Sequence, residues 1–389
     1  MKYALQYLRS AETICGLYDG SVPLAAFLKQ YFQQHKKFGS KDRRYISQLC
    51  YSYYRLGRAL TDLSFSERTR IALFLCLEEP GSWTEIITGD WLSQWDREAA
   101  KRFSFVREQY PSLSAETVFP CFDAISERFD KQPFVLSHFI QPDLFIRIRP
   151  GHEKTVRSQL AAADIAYREY PPNSLALPNA SSIDKLLNID QECVIQDLSS
   201  QRTGELLAKT ESKTPLAVWD CCAASGGKSL LAWDTLHHPV QLTVSDLRAS
   251  IIANLRKRFQ AAGVQPRSIF TADLTQPVSL PQTFDLVICD APCSGSGTWG
   301  RTPEQLFFFS REKILHYTGL QERITKNVLP YVKHNGYLLY ITCSVFTAEN
   351  EDIVARLEAG AMKTVDTVWL KGYSDRADSM FASLLQRMD

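Results

Sequence analysis

Leu216-Ala217-Val218-Trp219-Asp220-Cys221-Cys222-Ala223-Ala224-Ser225-Gly226-Gly227-Lys228-Ser229 is the stretch that decides the fold. Its first five residues are an apolar run closing on an acid, the pattern of a buried strand. Lys228 to Thr235 then reads as a helix. The small residues between them let the backbone approach a ligand closely, and a helix N-terminus favours a carboxylate or phosphate. The turn is not a Walker A loop, because the first glycine at the required spacing is missing. Nor is it the dinucleotide G-x-G-x-x-G.

Downstream the alternation continues. Strands are expected at Leu242–Ser245, Ser268–Thr271, Asp285–Asp290 and Tyr337–Thr342, with helices at Ser250–Ala262 and Lys313–Val332. Such alternation implies an α/β fold with a doubly wound parallel sheet, whose ligands sit at the carboxyl ends of the strands. Asp246 ends the second strand, where an acid can accept from a ribose hydroxyl pair. Asp273 follows the third, where it could face a purine edge, and Asp290 ends the fourth. Any one of these reads equally as a cap or turn residue. With Asp220, acids on successive strands fit a nucleoside with a charged amino-acid tail, a description of S-adenosylmethionine.

Two cysteines sit fifty residues apart, each just past such a strand. Phe284–Asp290 leads into Ala291-Pro292-Cys293-Ser294-Gly295, and Gly336–Thr342 leads into Cys343-Ser344. A thiol at a strand end is a candidate nucleophile. Two converging on one crevice suggest a covalent reaction with separate start and release steps. Taken singly, each is as readily a buried structural thiol.

Residues 1 to about 125 read as helices. Residues 1–60 hold ten Lys or Arg (Lys2, Arg9, Lys29, Lys36, Lys37, Lys41, Arg43, Arg44, Arg55, Arg58) against three acids (Glu12, Asp19, Asp42), a net +7 interleaved with aromatics. This is a solvated basic face or an RNA phosphate footprint, and the two readings are compatible. A further helix is expected over Trp91–Phe105. A boundary falls near 125–140. Beyond it, a strand at Phe145–Arg149, a helix at Lys154–Ala163, short strands at Tyr167–Tyr170 and Ser174–Leu177 and a short helix at Ile183–Leu187 make a small α+β module. A helix over Ser200–Lys209 follows. The expected domains are 1–125, 135–195 and 196–389.

The 389 residues are 45% hydrophobic, enough for sizeable cores. No apolar run approaches the ~18 residues of a membrane helix. The N-terminus reads as too short and polar for a secretory signal, so a cytoplasmic location is expected. The ten cysteines show no disulfide framework and no C-x2-C pair. Reduced thiols and no metal are therefore expected, with Cys50, Cys76 and Cys289 as small hydrophobes. The chain is expected to be a monomer with no membrane partner.

From Asp220 to Lys228, through Asp290-Ala291-Pro292-Cys293-Ser294-Gly295-Ser296-Gly297 to Tyr340-Ile341-Thr342-Cys343-Ser344, the chain resembles the Sun/Fmu-type RNA cytosine-C5 methyltransferases. Gln196-Asp197, Ser199-Ser200-Gln201, Arg301, Pro303-Glu304, Gln321 and Glu349-Asn350-Glu351 support the match, which covers roughly 195–389. The α+β module resembles the RRM-like domain of this family. The first 125 residues, through Asp42-Arg43-Arg44 and Tyr51-Ser52-Tyr53-Tyr54-Arg55, resemble its NusB-like helical RNA-binding domain. The resemblance implies a Rossmann-like methyltransferase domain, S-adenosylmethionine as cofactor and RNA, above all ribosomal RNA, as substrate. It makes Cys343 the nucleophile at cytosine C6, Cys293 an aid to release, and Asp290 the stabiliser of the protonated ring. Cys222, Ala223, Ala224, Ser225, Gly226, Gly227, Lys228, Asp246, Asp273 and Asp290 would hold the cofactor. Arg301 and Glu304 would lie on a loop facing the target base. Ser225 stands where the family usually has proline, and Ile251 where an arginine is common.

Two other readings stand beside this one. A DNA cytosine methyltransferase uses the Pro-Cys thiol and has no need of Cys343. A ribosome-assembly factor that binds RNA on an inactive methylase fold would need neither thiol.

Overall fold

The computed structural model describes residues 3–79, 81–210, 215–236 and 239–389. Contacts divide the chain into two units: residues 1–141 with 298–311, and residues 142–297 with 312–389.

The first unit is helical. Its longer helices are Ala4–Leu17, Leu24–Gln34, Ser40–Arg55, Phe65–Cys76 and Ala99–Gln109. The Ser40–Arg55 helix starts where Asp42 accepts the Gly39 N–H at 2.9 Å, and the Tyr7 hydroxyl donates to the same carboxylate at 2.6 Å. Ser64 caps the next helix by accepting from Glu67 N. Helical periodicity buries one face of each, including Leu24, Leu28, Ile46, Leu49 and Ile71. Buried arginines spend their donors on backbone carbonyls that no helix satisfies. Arg68 donates to Ala59, Tyr53 and Gly57, and Arg102 to Leu75, Asp96 and Arg97. The segment 298–311 packs into this unit: Trp299 stacks on Phe119, and Phe308 meets Tyr18 edge-on.

The second unit holds two sheets. In the smaller, β1 (Leu144–Ile148), β2 (Arg168–Tyr170), β3 (Ser174–Leu177) and β4 (Cys193–Ile195) are antiparallel in the order β2-β3-β1-β4. The helix Glu153–Ala162 covers the sheet through Val156 and Leu160. The larger sheet comprises β5 (Leu216–Asp220), β6 (Val240–Asp246), β7 (Ser268–Thr271), β8 (Phe284–Asp290), β9 (Val332–Thr342), β10 (Met362–Lys371) and β11 (Ser379–Arg387). Its order is β10-β11-β9-β8-β5-β6-β7. The strands from β5 to β9 are parallel, and β11 runs antiparallel to both β9 and β10. Apolar residues of alternate parity fill a core on each face, Val218 and Ile288 on one, Trp219 and Val287 on the other. This is a Rossmann-like sheet, with β5 and β8 at its centre and their carboxyl ends side by side.

Several sequence expectations are corrected. Ile183–Leu187 is a single turn rather than a helix, buried through its two end residues. The helix expected over Trp91–Phe105 is two, Asp90–Ser93 and Ala99–Gln109, parted where Asp96 accepts from Glu98 N. The helix expected over Ser200–Lys209 is likewise two short pieces, Leu198–Arg202 and Gly204–Leu207. The helix expected to reach Val332 stops at Val328, because Pro330 cannot continue it; β9 begins at Val332.

Candidate active site

The carboxyl ends of β5, β6, β8 and β9 carry the candidate chemistry. After β5 the chain turns through Ala224 (φ 45°) and Gly226 (φ 88°) into the helix Gly227–Thr235. A Cβ at Gly226 would lie 2.8 Å from the Phe259 ring, so only glycine fits both the backbone angle and that packing. The turn is tied to β6: Ala224 N donates to Asp246 Oδ2 at 2.9 Å. Asp246 Oδ1 accepts from the Arg248 amide at 2.9 Å and its Nε at 3.1 Å. Oδ1 is thus saturated from within the chain, while Oδ2 retains an acceptor site.

Ser225 has a specific support. Arg258 Nη1 donates to its carbonyl at 2.9 Å and its hydroxyl at 3.0 Å, while the rest of the guanidinium grips Asp190. The turn is braced from outside where proline would stiffen it from within. Ile251 carries no charge here, and Arg248 supplies a cation beside Asp246 instead.

Lys228, in the first turn of its helix, is buried, and its Nζ donates to Asp290 Oδ2 at 3.1 Å and to Ser200 Oγ at 2.7 Å. Gln196 Nε2 donates to the same Ser200 hydroxyl. Burial pulls the Lys228 pKa down, but Asp290, Cys343 and Asp220 outweigh it and lift the ammonium above its ordinary value. Asp220 itself is fully buried, with Oδ2 accepting from Ser229 Oγ at 2.6 Å. Burial, with smaller contributions from Asp290 and Cys222, raises its pKa to about 7.

The two cysteine loops leave the adjacent parallel strands β8 and β9 and set the Cys293 thiol beside that of Cys343. That neighbour, then burial, then the Asp290 charge push the Cys343 thiol well above its usual range, and Lys228 opposes them. A buried carboxylate staples the loops together. Glu349 accepts from Ser294 N at 2.8 Å on one loop and from Ser344 Oγ at 2.9 Å on the other. Gln321 Nε2 donates to Glu349 at 3.1 Å and to Pro292 O at 3.0 Å. Gly297 N donates to Cys343 O, and a Cβ on Gly297 would fall 1.9 Å from Ser379 O. Burial raises the Glu349 pKa against the pull of those donors. Tyr317 completes the surroundings, its phenol raised by burial and then by the charges of Cys293 and Glu349.

The structure thus joins Ala224 to Asp246 and Lys228 to Asp290, and sets Cys293 beside Cys343. Asp273 is exposed and held by its own turn, accepting from Thr275 N and Oγ1. Glu304 departs from expectation. It does not face a base but lies buried in the helical unit, where it accepts the Leu24 N–H at 3.0 Å and caps that helix. The Glu349 staple and the Arg258 brace escape sequence reasoning, since each links residues far apart in the chain. Among the described residues no helix is long and apolar enough to cross a membrane.

A small-residue turn at a helix N-terminus, with a ribose-type acid on the next strand, fits the amino-acid tail and sugar of S-adenosylmethionine. Residues 205–373 match the family model described as 16S rRNA methyltransferase RsmB/F. Ribosomal RNA small subunit methyltransferase B of Xylella fastidiosa is 30% identical over 276 residues, covering 67% of this chain and 62% of that protein. The chain spans less than two thirds of the length of the first such relatives. In fold it is similar to NSun6 from Pyrococcus horikoshii (TM-score 0.62, 12% identity, 70% of this chain and 99% of that one). It is also similar to a methyltransferase homolog protein of the same organism (TM-score 0.56, 18% identity, 69% and 93%). The segment matched by the RsmB/F model carries the turn, Lys228, Asp290 and both thiols.

Proposed function

We propose that the chain methylates C5 of a cytosine in RNA, with small-subunit ribosomal RNA as the substrate, through a covalent cysteine adduct at C6. The observation that carries this reading is the meeting of Cys293 and Cys343 beside the Lys228–Asp290 pair. Methylation needs a nucleophilic C5, and cytosine C5 is a poor one until a thiolate adds to C6.

S-adenosylmethionine, when bound, supplies the methyl group. The turn 222–227, Lys228 and Asp246 would hold it, and Asp273 would lie toward its purine. Cys343 is the attacking thiol. Its raised pKa means that it rests protonated. Lys228 is the nearby cation that favours the thiolate. Asp290 hydrogen-bonds the N3 edge as the ring gains a proton there. At the end of the reaction the C5 proton leaves, the bond from C6 to Cys343 breaks, and Cys293 assists this elimination. The target base must be unstacked to reach the thiols. The helical unit, NusB-like by its sequence resemblance, contributes phosphate contacts through the exposed Lys36, Lys37 and Arg44 and the half-exposed Arg43.

The test is transfer of labelled methyl from S-adenosylmethionine to small-subunit RNA, followed by digestion to nucleosides. Label in 5-methylcytidine is expected. Label in another nucleoside would overturn the cytosine-C5 chemistry, and cofactor binding without any transfer would favour an assembly factor on an inactive fold.

A further inference from the structure

Three thiols that the proposed chemistry does not use gather beneath the site. Cys221 and Cys222 open the cofactor turn, and Cys289 precedes Asp290 on β8. Their sulfurs all lie within 4.8 Å of one another. Cys221 and Cys289 are buried, whereas Cys222 is partly exposed and gives the group a way in. They sit in the core that includes Trp219, Val287 and Tyr340. One cysteine in such a place acts as a small hydrophobe. Three whose sulfurs lie this close together can also present one set of donors to an ion. A second observation points the same way. Asp220 Oδ1 is fully buried and makes no hydrogen bond, and its carboxylate acts electrostatically on Cys222. A buried carboxylate oxygen that receives no donor, beside three thiols, is a setting that a cation would relieve.

The donor set selects the cation. It is all sulfur, which favours soft ions over magnesium or calcium. It offers three ligands, whereas structural zinc takes four. We propose that Cys221, Cys222 and Cys289 form a three-sulfur site for a soft monovalent cation, with copper(I) as the fitting ion. Binding replaces S–H bonds with sulfur–metal bonds and releases the displaced protons to solvent. The bound ion ties the start of the cofactor turn to the strand that ends in Asp290.

The full-length chain, reduced and metal-free, is titrated anaerobically with copper(I) alone against a chromophoric copper(I) chelator, and in parallel with zinc(II). The native chain should withdraw one equivalent of copper(I) and melt at a higher temperature once loaded. Cys289→Val and Cys221→Ala should each hold it at least about tenfold more weakly, and lose the thermal shift. The Cys293→Ala/Cys343→Ala double variant should keep the native affinity, which places the ion away from the catalytic pair. Native-like binding by both single variants, or loss of binding in the double variant, would overturn the site. A zinc(II) affinity equal to that for copper(I) would overturn the choice of ion. Because two single variants are used, misfolding of one leaves the other to decide.

Discussion

The thiol of Cys343 lies beside the thiol of Cys293, and this neighbour is the leading cause of its raised pKa. Two loops from adjacent strands are held to that register by the Glu349 carboxylate, which takes a donor from each. At rest the attacking group is therefore protonated and poised, with Lys228 as the charge that favours its ionised form.

Glu349→Ala should loosen both loops at once. It leaves the buried Ser344 hydroxyl, the Ser294 amide and the Gln321 amide short of an acceptor, at a cost of about 1–3 kcal/mol in stability. Denaturant unfolding measures the loss. Methyl transfer should fall more than cofactor affinity, because the staple holds the thiols and not the turn. Equal losses in both would show that Glu349 is merely a stability residue.

Asp246→Ala should weaken S-adenosylmethionine binding by ~1.5–3 kcal/mol for each lost charged hydrogen bond. Arg248→Ala should not weaken it, since Arg248 occupies the Oδ1 that a diol would use. Calorimetry on the two variants separates these outcomes. Unchanged affinity in Asp246→Ala would remove the ribose assignment.

The central sheet was legible because β5, β8 and the end of β9 are buried and read as apolar runs closed by an acid or followed by a cysteine. The edge pair β10 and β11 was not. β10 is only half-buried, carries Lys363, Asp366 and Thr367, and breaks register between Thr364 and Asp366, so neither a run nor a clean alternation marks it. The cysteines and the cofactor turn stood out because short motifs hold them. What positions them did not: Glu304 reads as a loop acid until Leu24, far away in sequence, is seen to need a cap. Three of the basic residues counted as a footprint are likewise reassigned or set aside. Arg55 is buried on carbonyls and the Gln141 amide, and Arg58 holds the carbonyls of Phe307 and Phe309. Lys2 lies outside the described residues.

Asp220 makes stability depend on pH. Its folded pKa, about 7 against an ordinary 3.8, means that the native chain holds the proton more tightly than the unfolded one. Its contribution is thus full below the unfolded value and is lost as pH rises through about 7. Asp220→Asn should gain stability relative to the native chain at about pH 8 and gain less at about pH 5. Denaturant midpoints at the two pH values check this, and a difference independent of pH would contradict it.

RNA affinity should fall with salt, with a logarithmic slope near −0.7 to −0.9 per phosphate contact. Reversing charge at Lys36, Lys37, Arg43 and Arg44 should flatten that slope. A slope unmoved by the reversal would show that this basic face is only solvated.

The most direct test of the covalent chemistry compares Cys343→Ala with Cys293→Ala on a denaturing gel after incubation with RNA and S-adenosylmethionine. Without Cys343 no C6 adduct can form, so no shifted protein band is expected and turnover should be lost. Without Cys293 the chain can attack and methylate but stalls before release, so a band carrying RNA should accumulate. The reverse pattern, with adduct in Cys343→Ala and none in Cys293→Ala, would make Cys293 the nucleophile and contradict the assigned roles.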